Sequence, residues 1–137
     1  MEISKKRIIL TGAASGIGKE LLNQLSNYDC QIMAVDRNQS ALEELDKVLD
    51  KRNAKVSAYV CDISRPDSLD KLFEDALQMM GGIDIFIANA GYAYYEKLMK
   101  ADWERIETIF NVNVHSPIYT ALKMKNLHPD TPYKVIV

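Results

Sequence analysis

Arg7-Ile8-Ile9-Leu10-Thr11-Gly12-Ala13-Ala14-Ser15-Gly16-Ile17-Gly18 joins a short apolar run to an amphipathic segment through a turn bearing three glycines. Arg7 to Leu10 reads as a buried strand. The apolar spacing that follows predicts a helix from about Gly16 to Tyr28, with Ile17, Leu21, Leu22 and Leu25 on one face. Between them, Gly12 permits a tight turn, Gly16 leaves space beside the backbone, and Gly18 allows the helix to approach the strand closely.

The same alternation continues down the chain. Strands are expected at Gln31 to Val35, Lys55 to Val60, Ile83 to Ala88 and Val135 to Val137. Helices are expected from Ser40 to Lys51 with Leu42, Leu45 and Leu49 inward, and from Asp67 to Met80 with Leu69, Leu72, Phe73, Ala76 and Leu77 inward. Gly81-Gly82 closes the latter, as glycine does past a last turn. A long helix is expected from about Ala101 to Lys125. Strands that alternate with helices form parallel βαβ units with right-handed crossovers. The expected fold is therefore α/β, a doubly wound parallel sheet of Rossmann type with strand order 3-2-1-4-5, in one domain over residues 1–137. Its ligand cleft should lie beyond the carboxyl ends of the first and fourth strands, where the order switches direction.

Composition bounds the function. The 137 residues carry 17 Lys plus Arg and 19 Asp plus Glu, a net charge of -2 without the basic excess of a nucleic-acid binder. No stretch reaches the roughly 20 apolar residues of a membrane span, and Ile8 to Leu10 is too short for the core of a signal peptide. Cys30 and Cys61 stand alone, which reads as two reduced, packed thiols in a cytoplasmic protein. His115 and His128 fit no metal-ligand spacing, so no metal is expected.

A glycine turn at the head of a helix receives a diphosphate, because the free N–H groups and the helix dipole there attract anions. The backbone from Gly12 to Gly18, including Ala14, Ser15 and Ile17, would form that cradle, and Ser15 adds a hydroxyl donor. Asp36 follows Gly18 by 18 residues, near the distance of about 20 at which an acidic residue holds the adenosine ribose hydroxyls. A carboxylate there favours NAD and repels a 2′-phosphate. Arg37 argues the other way, since a guanidinium pairs well with phosphate. NAD is the expected cofactor, with NADP second.

The spacing Gly12-x-x-x-Gly16-x-Gly18 departs from the general G-x-G-x-x-G fingerprint. It resembles the T-G-x-x-x-G-I-G turn of the short-chain dehydrogenase/reductase family. The resemblance extends to Ala88-Asn89-Ala90-Gly91, similar to the family's N-N-A-G with Ala88 replacing the first asparagine, and to Asn111-Val112-Asn113-Val114. It implies that Asp62 contacts the adenine edge with Ile63 beside the ring. It implies that Asn89 ties the central strands together, and that Ala90 and Gly91 pass close to the cofactor ribose. Val112 would lie near the nicotinamide. Asn113 would be the asparagine of the catalytic tetrad, whose backbone carbonyl holds a water in a proton relay.

The family activity so implied is that of an oxidoreductase, moving hydride between a nicotinamide and a small molecule with a carbonyl or hydroxyl group, usually as a homo-oligomer. The resemblance also implies that the chain stops before the family's serine, tyrosine and lysine, so that these 137 residues bind dinucleotide without turnover. A non-catalytic nucleotide-sensing module on the same scaffold is the alternative, and a remnant that binds nothing a third. Tyr119 and Lys123 have the family's Y-x-x-x-K spacing but lie six residues after Asn113 in the same helix, so they read as a packed tyrosine and a solvated lysine. Pro117 cannot donate to the carbonyl of Asn113, which predicts a kinked helix and a free carbonyl there. Tyr92, Tyr94 and Tyr95 are candidates to border the substrate pocket, and Trp103 to anchor a helix.

Overall fold

Five parallel strands alternate with helices in a computed structural model that describes residues 2–49, 53–93 and 101–137. The elements are β1 (Arg7–Thr11), α1 (Gly16–Leu25), β2 (Gln31–Asp36), α2 (Gln39–Val48), β3 (Lys55–Val60), α3 (Pro66–Met80), β4 (Ile85–Ile87), α4 (Trp103–Phe110), a π-helical segment (Asn111–His115), α5 (Ser116–Leu127) and β5 (Lys134–Ile136). The strand order is β3-β2-β1-β4-β5 with every pairing parallel, the doubly wound arrangement expected from the alternation. Among the described residues, no helix is long and apolar enough to cross a membrane.

Successive residues of the central strands point to opposite faces, so both faces must be covered. Ile8, Leu10, Ile32, Ala34, Ile85 and Ile87 pack with Leu22 and Leu25 of α1 and Leu45 of α2. Ile9, Met33, Val35 and Phe86 pack with Leu69, Leu72, Phe73 and Ala76 of α3 and Met124 of α5. Each of the larger side chains among them, the leucines, isoleucines, methionines, Val35 and the phenylalanines, contributes about 1.5–3 kcal/mol on burial. The two layers leave β1 in the middle, buried on both faces, with its carboxyl end as the floor of whatever opens above it.

Several expectations need correction. The first helix stops at Leu25 rather than Tyr28, because Ser26 Oγ donates to the Asn23 carbonyl at 2.7 Å and the Asn27 amide to the Gln24 carbonyl at 3.2 Å. These side chains take over the last carbonyls and end the helix. Ile17 is 80% exposed; Gly18, Leu22 and Leu25 form the inward face instead, and Ile17 stands about a hundred degrees round the helix from Gly18. Leu49 is buried, but in extended backbone just past α2. Leu77 lies at the exposed margin of α3. Trp103 is 72% exposed at the first turn of α4 and anchors nothing among the described residues. The expected glycine stop is present, with Gly81 at φ 75°.

The long helix is not one regular α-helix: a π-helical turn over Asn111–His115 separates α4 from α5, whose second residue is Pro117. Ser116 donates its backbone N–H to the Asn111 carbonyl, five residues back, and α5 begins beside Pro117. A π turn is a recognised way for a helix to absorb such a mismatch. Lys123 does not point into solvent. Its ammonium meets Asp70 of α3, which also accepts the Tyr119 hydroxyl at 2.7 Å. Lys123 and Tyr119 together hold the Asp70 carboxyl below its usual range, and the same bond pushes the Tyr119 hydroxyl up. The outer face of α4 to α5 presents Trp103, Ile106, Phe110, Val114, Ile118 and Leu122 to solvent.

Arg7 fastens the start of β1 to the start of β4. Its Nε and Nη2 donate to the two carboxylate oxygens of Asp84 at 2.8 Å each, its backbone N–H to Asp84 at 2.9 Å, and its Nη1 to the Gly81 carbonyl at 2.9 Å. These bonds hold the Asp84 carboxyl below the usual carboxylate range against the opposing effect of burial. A lowered folded pKa means that the stabilisation is complete above the unfolded value, about 3.9, and fades as pH falls through the folded one. Asp84→Asn should therefore lower stability by about 1–3 kcal/mol at pH 7. Urea unfolding at pH 7 and pH 3 checks this: the gap between parent and variant should narrow at the lower pH, and a gap independent of pH would contradict it.

Candidate functional site

A cleft of about 280 Å³ opens at the carboxyl ends of β1, β2 and β4, where the strand order reverses. Its floor is the turn from Gly12 to Ser15, and its construction starts with Thr11. This residue is buried, and its hydroxyl donates to the Ile87 carbonyl at 3.3 Å while accepting the Ala90 N–H at 3.1 Å. Asn89 donates its amide to the carbonyls of Thr11 at 3.1 Å and Gly12 at 3.4 Å. Asn89 thus links β1 to the chain leaving β4, although it does not line the cleft.

Two glycines are required by crowding. A Cβ on Gly18 would lie 2.0 Å from the Gly12 carbonyl oxygen and 2.6 Å from the Asn89 amide nitrogen. One on Gly12, whose φ is +68°, would lie 2.8 Å from the Ala90 Cα. Gly16 differs: its φ is +52°, yet a Cβ there would meet no protein atom within 4 Å. It needs the left-handed conformation and leaves open space at the mouth of α1. Ser15 precedes α1 in extended backbone without capping it, and the first turn carries no acid. By contrast, Asn38 caps α2 and Asp102 caps α4 with their side chains. The head of α1 keeps its N–H groups and positive dipole end for something other than its own side chains.

The walls come from the neighbouring strands. Asp36 at the end of β2 accepts the N–H groups of Ala14 at 3.1 Å and Asn38 at 3.0 Å, which holds its carboxyl at the rim and braces the glycine turn. Arg37, Asn38, Ala41 and Val35 continue this side. Cys61, Asp62 and Ile63 follow β3, where Asp62 accepts from the Ser64 N–H and hydroxyl. Ala90, Gly91, Tyr92 and Val112 close the opposite wall. Burial pushes the Cys61 thiol up to about 11, so it stays a thiol at neutral pH and serves as wall, not nucleophile.

Of the residues singled out in the sequence, the cleft gathers Gly12, Ala14, Ser15, Asp36, Arg37, Asp62, Ile63, Ala90, Gly91 and Val112. Gly18 and Asn89 support its floor from behind. Gly16 and Ile17 instead flank a shallow depression with Glu20, Leu21 and Gln24 on the outer side of α1, so Ile17 is not brought into the cleft. Asn113 also stands outside the lining. Its side chain makes a two-way clamp with the backbone of Tyr92, accepting the N–H at 2.8 Å and donating to the carbonyl at 2.7 Å. Tyr92 lines the cleft, while Tyr94 and Tyr95 lie outside the described residues. Cys30 and Cys61 are both free and buried, and among the described residues no three His, Cys, Asp or Glu side chains cluster to hold a metal ion. Thr11 and Cys61 had no signal of their own in the sequence beyond their places beside the glycine turn and after the third strand.

The family model for short chain dehydrogenases matches residues 6–128. An uncharacterized oxidoreductase of Staphylococcus saprophyticus is 29% identical over 121 residues, covering 88% of this chain and 52% of the relative. The crystal structure of a 3-ketoacyl-(acyl-carrier-protein) reductase from Brucella melitensis, complexed with NADH, is similar at 26% identity and a TM-score of 0.77, over 92% of this chain and 51% of that one. L-sorbose reductase from Gluconobacter frateurii, complexed with NADPH and L-sorbose, is similar at 28% identity and a TM-score of 0.76, over 93% and 48%. The chain spans about half the length of these relatives.

The glycines give a graded prediction. Gly18→Ala must displace backbone and should cost about 3 kcal/mol or more, whereas Gly16→Ala incurs only left-handed strain, about 1–2 kcal/mol. Chemical denaturation of both variants measures the difference, and equal losses would contradict the close approach of α1 to β1.

Proposed function

Because the chain belongs to the short chain dehydrogenase family, we propose that its cleft binds a nicotinamide dinucleotide, NAD in preference to NADP, and that the whole protein is an oxidoreductase acting on a small carbonyl or alcohol. The carrying observation is the joint placement of an uncapped helix head, a glycine turn and the Asp36 carboxyl around one cleft at the switch point. Relatives complexed with NADH and with NADPH support the coarser part of this reading.

The residues fit such a group. The backbone from Gly12 to Gly18 receives the diphosphate at the head of α1. Asp36 already accepts two N–H groups, and a carboxylate has about four lone-pair sites, so it retains capacity for the two hydroxyls of the adenosine ribose. The same oxygens repel a 2′-phosphate. Asp62 and Ile63 take the adenine, Ala90 and Gly91 pass the ribose without side-chain bulk, and Val112 offers an apolar surface toward the nicotinamide end. The bound dinucleotide supplies hydride chemistry. Asn113 takes the proton-relay role through its backbone carbonyl, which Pro117 cannot reach as a donor, while its side chain fixes Tyr92.

Residues 1–137 alone bind without turnover on this reading. The family's tyrosine–lysine pair is not supplied by Tyr119 and Lys123, whose polar ends are engaged by Asp70 beside α3. The apolar stripe on the outer face of α4 and α5 supports the expectation of self-association through that face.

Isothermal titration of the folded chain tests the reading. NAD should bind more tightly than NADP, and Asp36→Asn should narrow that preference by about tenfold, as the loss of a charge-assisted bond to the ribose implies. Folded protein that takes up neither dinucleotide would overturn it.

A further inference from the structure

Arg37 reaches across the cleft. Residue 37 follows β2 and residue 92 follows the β4 end of the sheet, and these strands lie on opposite sides of β1, two strand spacings or roughly 10 Å apart. Yet the Arg37 guanidinium carbon stands 5.3 Å from the centre of the Tyr92 ring, over its face. Among the described residues, no hydrogen bond or ion pair competes for this guanidinium, and none joins it to the neighbouring Asp36. The residue that carries the ring is itself held in place. Its backbone is clamped on both polar atoms by the Asn113 side chain. A long flexible cation has thus come to rest on the ring of an aromatic residue whose backbone is anchored.

We propose that Tyr92 is a specificity-determining residue, which holds Arg37 away from the ribose 2′ position and leaves Asp36 alone to meet it. The inference rests on the dinucleotide reading above and goes further by assigning the choice of dinucleotide to a residue on the opposite wall. The physical argument is a competition. A guanidinium resting on an aromatic face gives up that contact to pair with a phosphate. With the ring present, a 2′-phosphate must draw Arg37 off it and also face the Asp36 carboxyl. Without the ring, Arg37 is available either to a 2′-phosphate, which strengthens NADP binding, or to Asp36, which weakens the grip on the NAD ribose. Both outcomes move the preference in one direction.

The test is isothermal titration of the 137-residue chain with NAD and with NADP, reading the ratio of the two affinities. Tyr92→Leu should shift that ratio toward NADP by about two- to fivefold, the size that an exposed cation–π contact supports. Tyr92→Phe keeps the ring and should keep the parental ratio. In an Arg37→Ala background the Tyr92→Leu shift should vanish. Removing Arg37 should cost NADP binding less with the ring present than in the Tyr92→Leu background, since in the parent the guanidinium pairs with the phosphate only by giving up the ring; Tyr92→Val provides the same comparison if Tyr92→Leu does not fold. An unchanged ratio in Tyr92→Leu, a shift that survives without Arg37, or an equal loss of NADP affinity on removing Arg37 with and without the ring would each overturn the proposal while leaving dinucleotide binding intact. No binding of either dinucleotide to the folded parent would instead overturn the functional reading, and this inference with it.

Discussion

The contact between the backbone of Gly12 and that of Gly18 governs the geometry of this molecule. Where a Cβ at position 18 would stand 2.0 Å from the Gly12 carbonyl, only hydrogen fits, and α1 is drawn directly against the end of β1. Asn89 completes the lock by donating to the Thr11 and Gly12 carbonyls, its amide nitrogen 2.6 Å from where a Gly18 Cβ would stand. The turn between strand and helix is thereby fixed from three directions, by α1, by the segment after β4, and by Asp36 through the Ala14 N–H. A loop so held presents its N–H groups in a set arrangement, as binding an extended anion at low entropic cost requires.

The doubly wound sheet converts this local lock into a site. Since β2 and β4 flank β1, the chain leaving each carboxyl end diverges and a cleft opens above the glycine turn. The two walls then differ in chemistry. The β2 side brings carboxylate and guanidinium, and the β4 side brings small residues and an aromatic residue whose backbone Asn113 holds. Such asymmetry suits a long ligand with a different group at each end. The π-helical segment contributes by placing Val112 inward and Asn113 toward Tyr92 from one interrupted helix.

Much of this was legible in the residues. The alternation of apolar runs with amphipathic segments implied the strand order, and the glycine spacing located the cleft. Asp36, Asp62, Ala90 and Val112 fall together there because each follows the end of a strand or faces it from the interrupted helix. What escaped reading depends on tertiary partners. Ile17 fits an apolar stripe as well as Leu22 does, but the inward position belongs to Gly18, and only the approach of β1 reveals that. Lys123 reads as solvated until α3 brings Asp70 beneath it. Trp103 reads as an anchor because large aromatics are usually buried, yet nothing among the described residues covers it. Thr11 is an ordinary strand terminus in sequence, and its role as a bridge between Ile87 and Ala90 comes from the neighbouring strand.

The central claim is that the cradle from Gly12 to Gly18, at the head of α1, is where a dinucleotide diphosphate rests. Backbone amide NMR on the isotopically labelled chain, recorded as NAD is added, tests it at residue level. The account predicts the largest shifts at the amides of Ala14 to Gly18, with smaller ones at Asp62 and at Ala90 to Tyr92. Shifts confined to other surfaces, such as the exposed apolar face of α4 and α5, with the glycine turn unmoved, would contradict it.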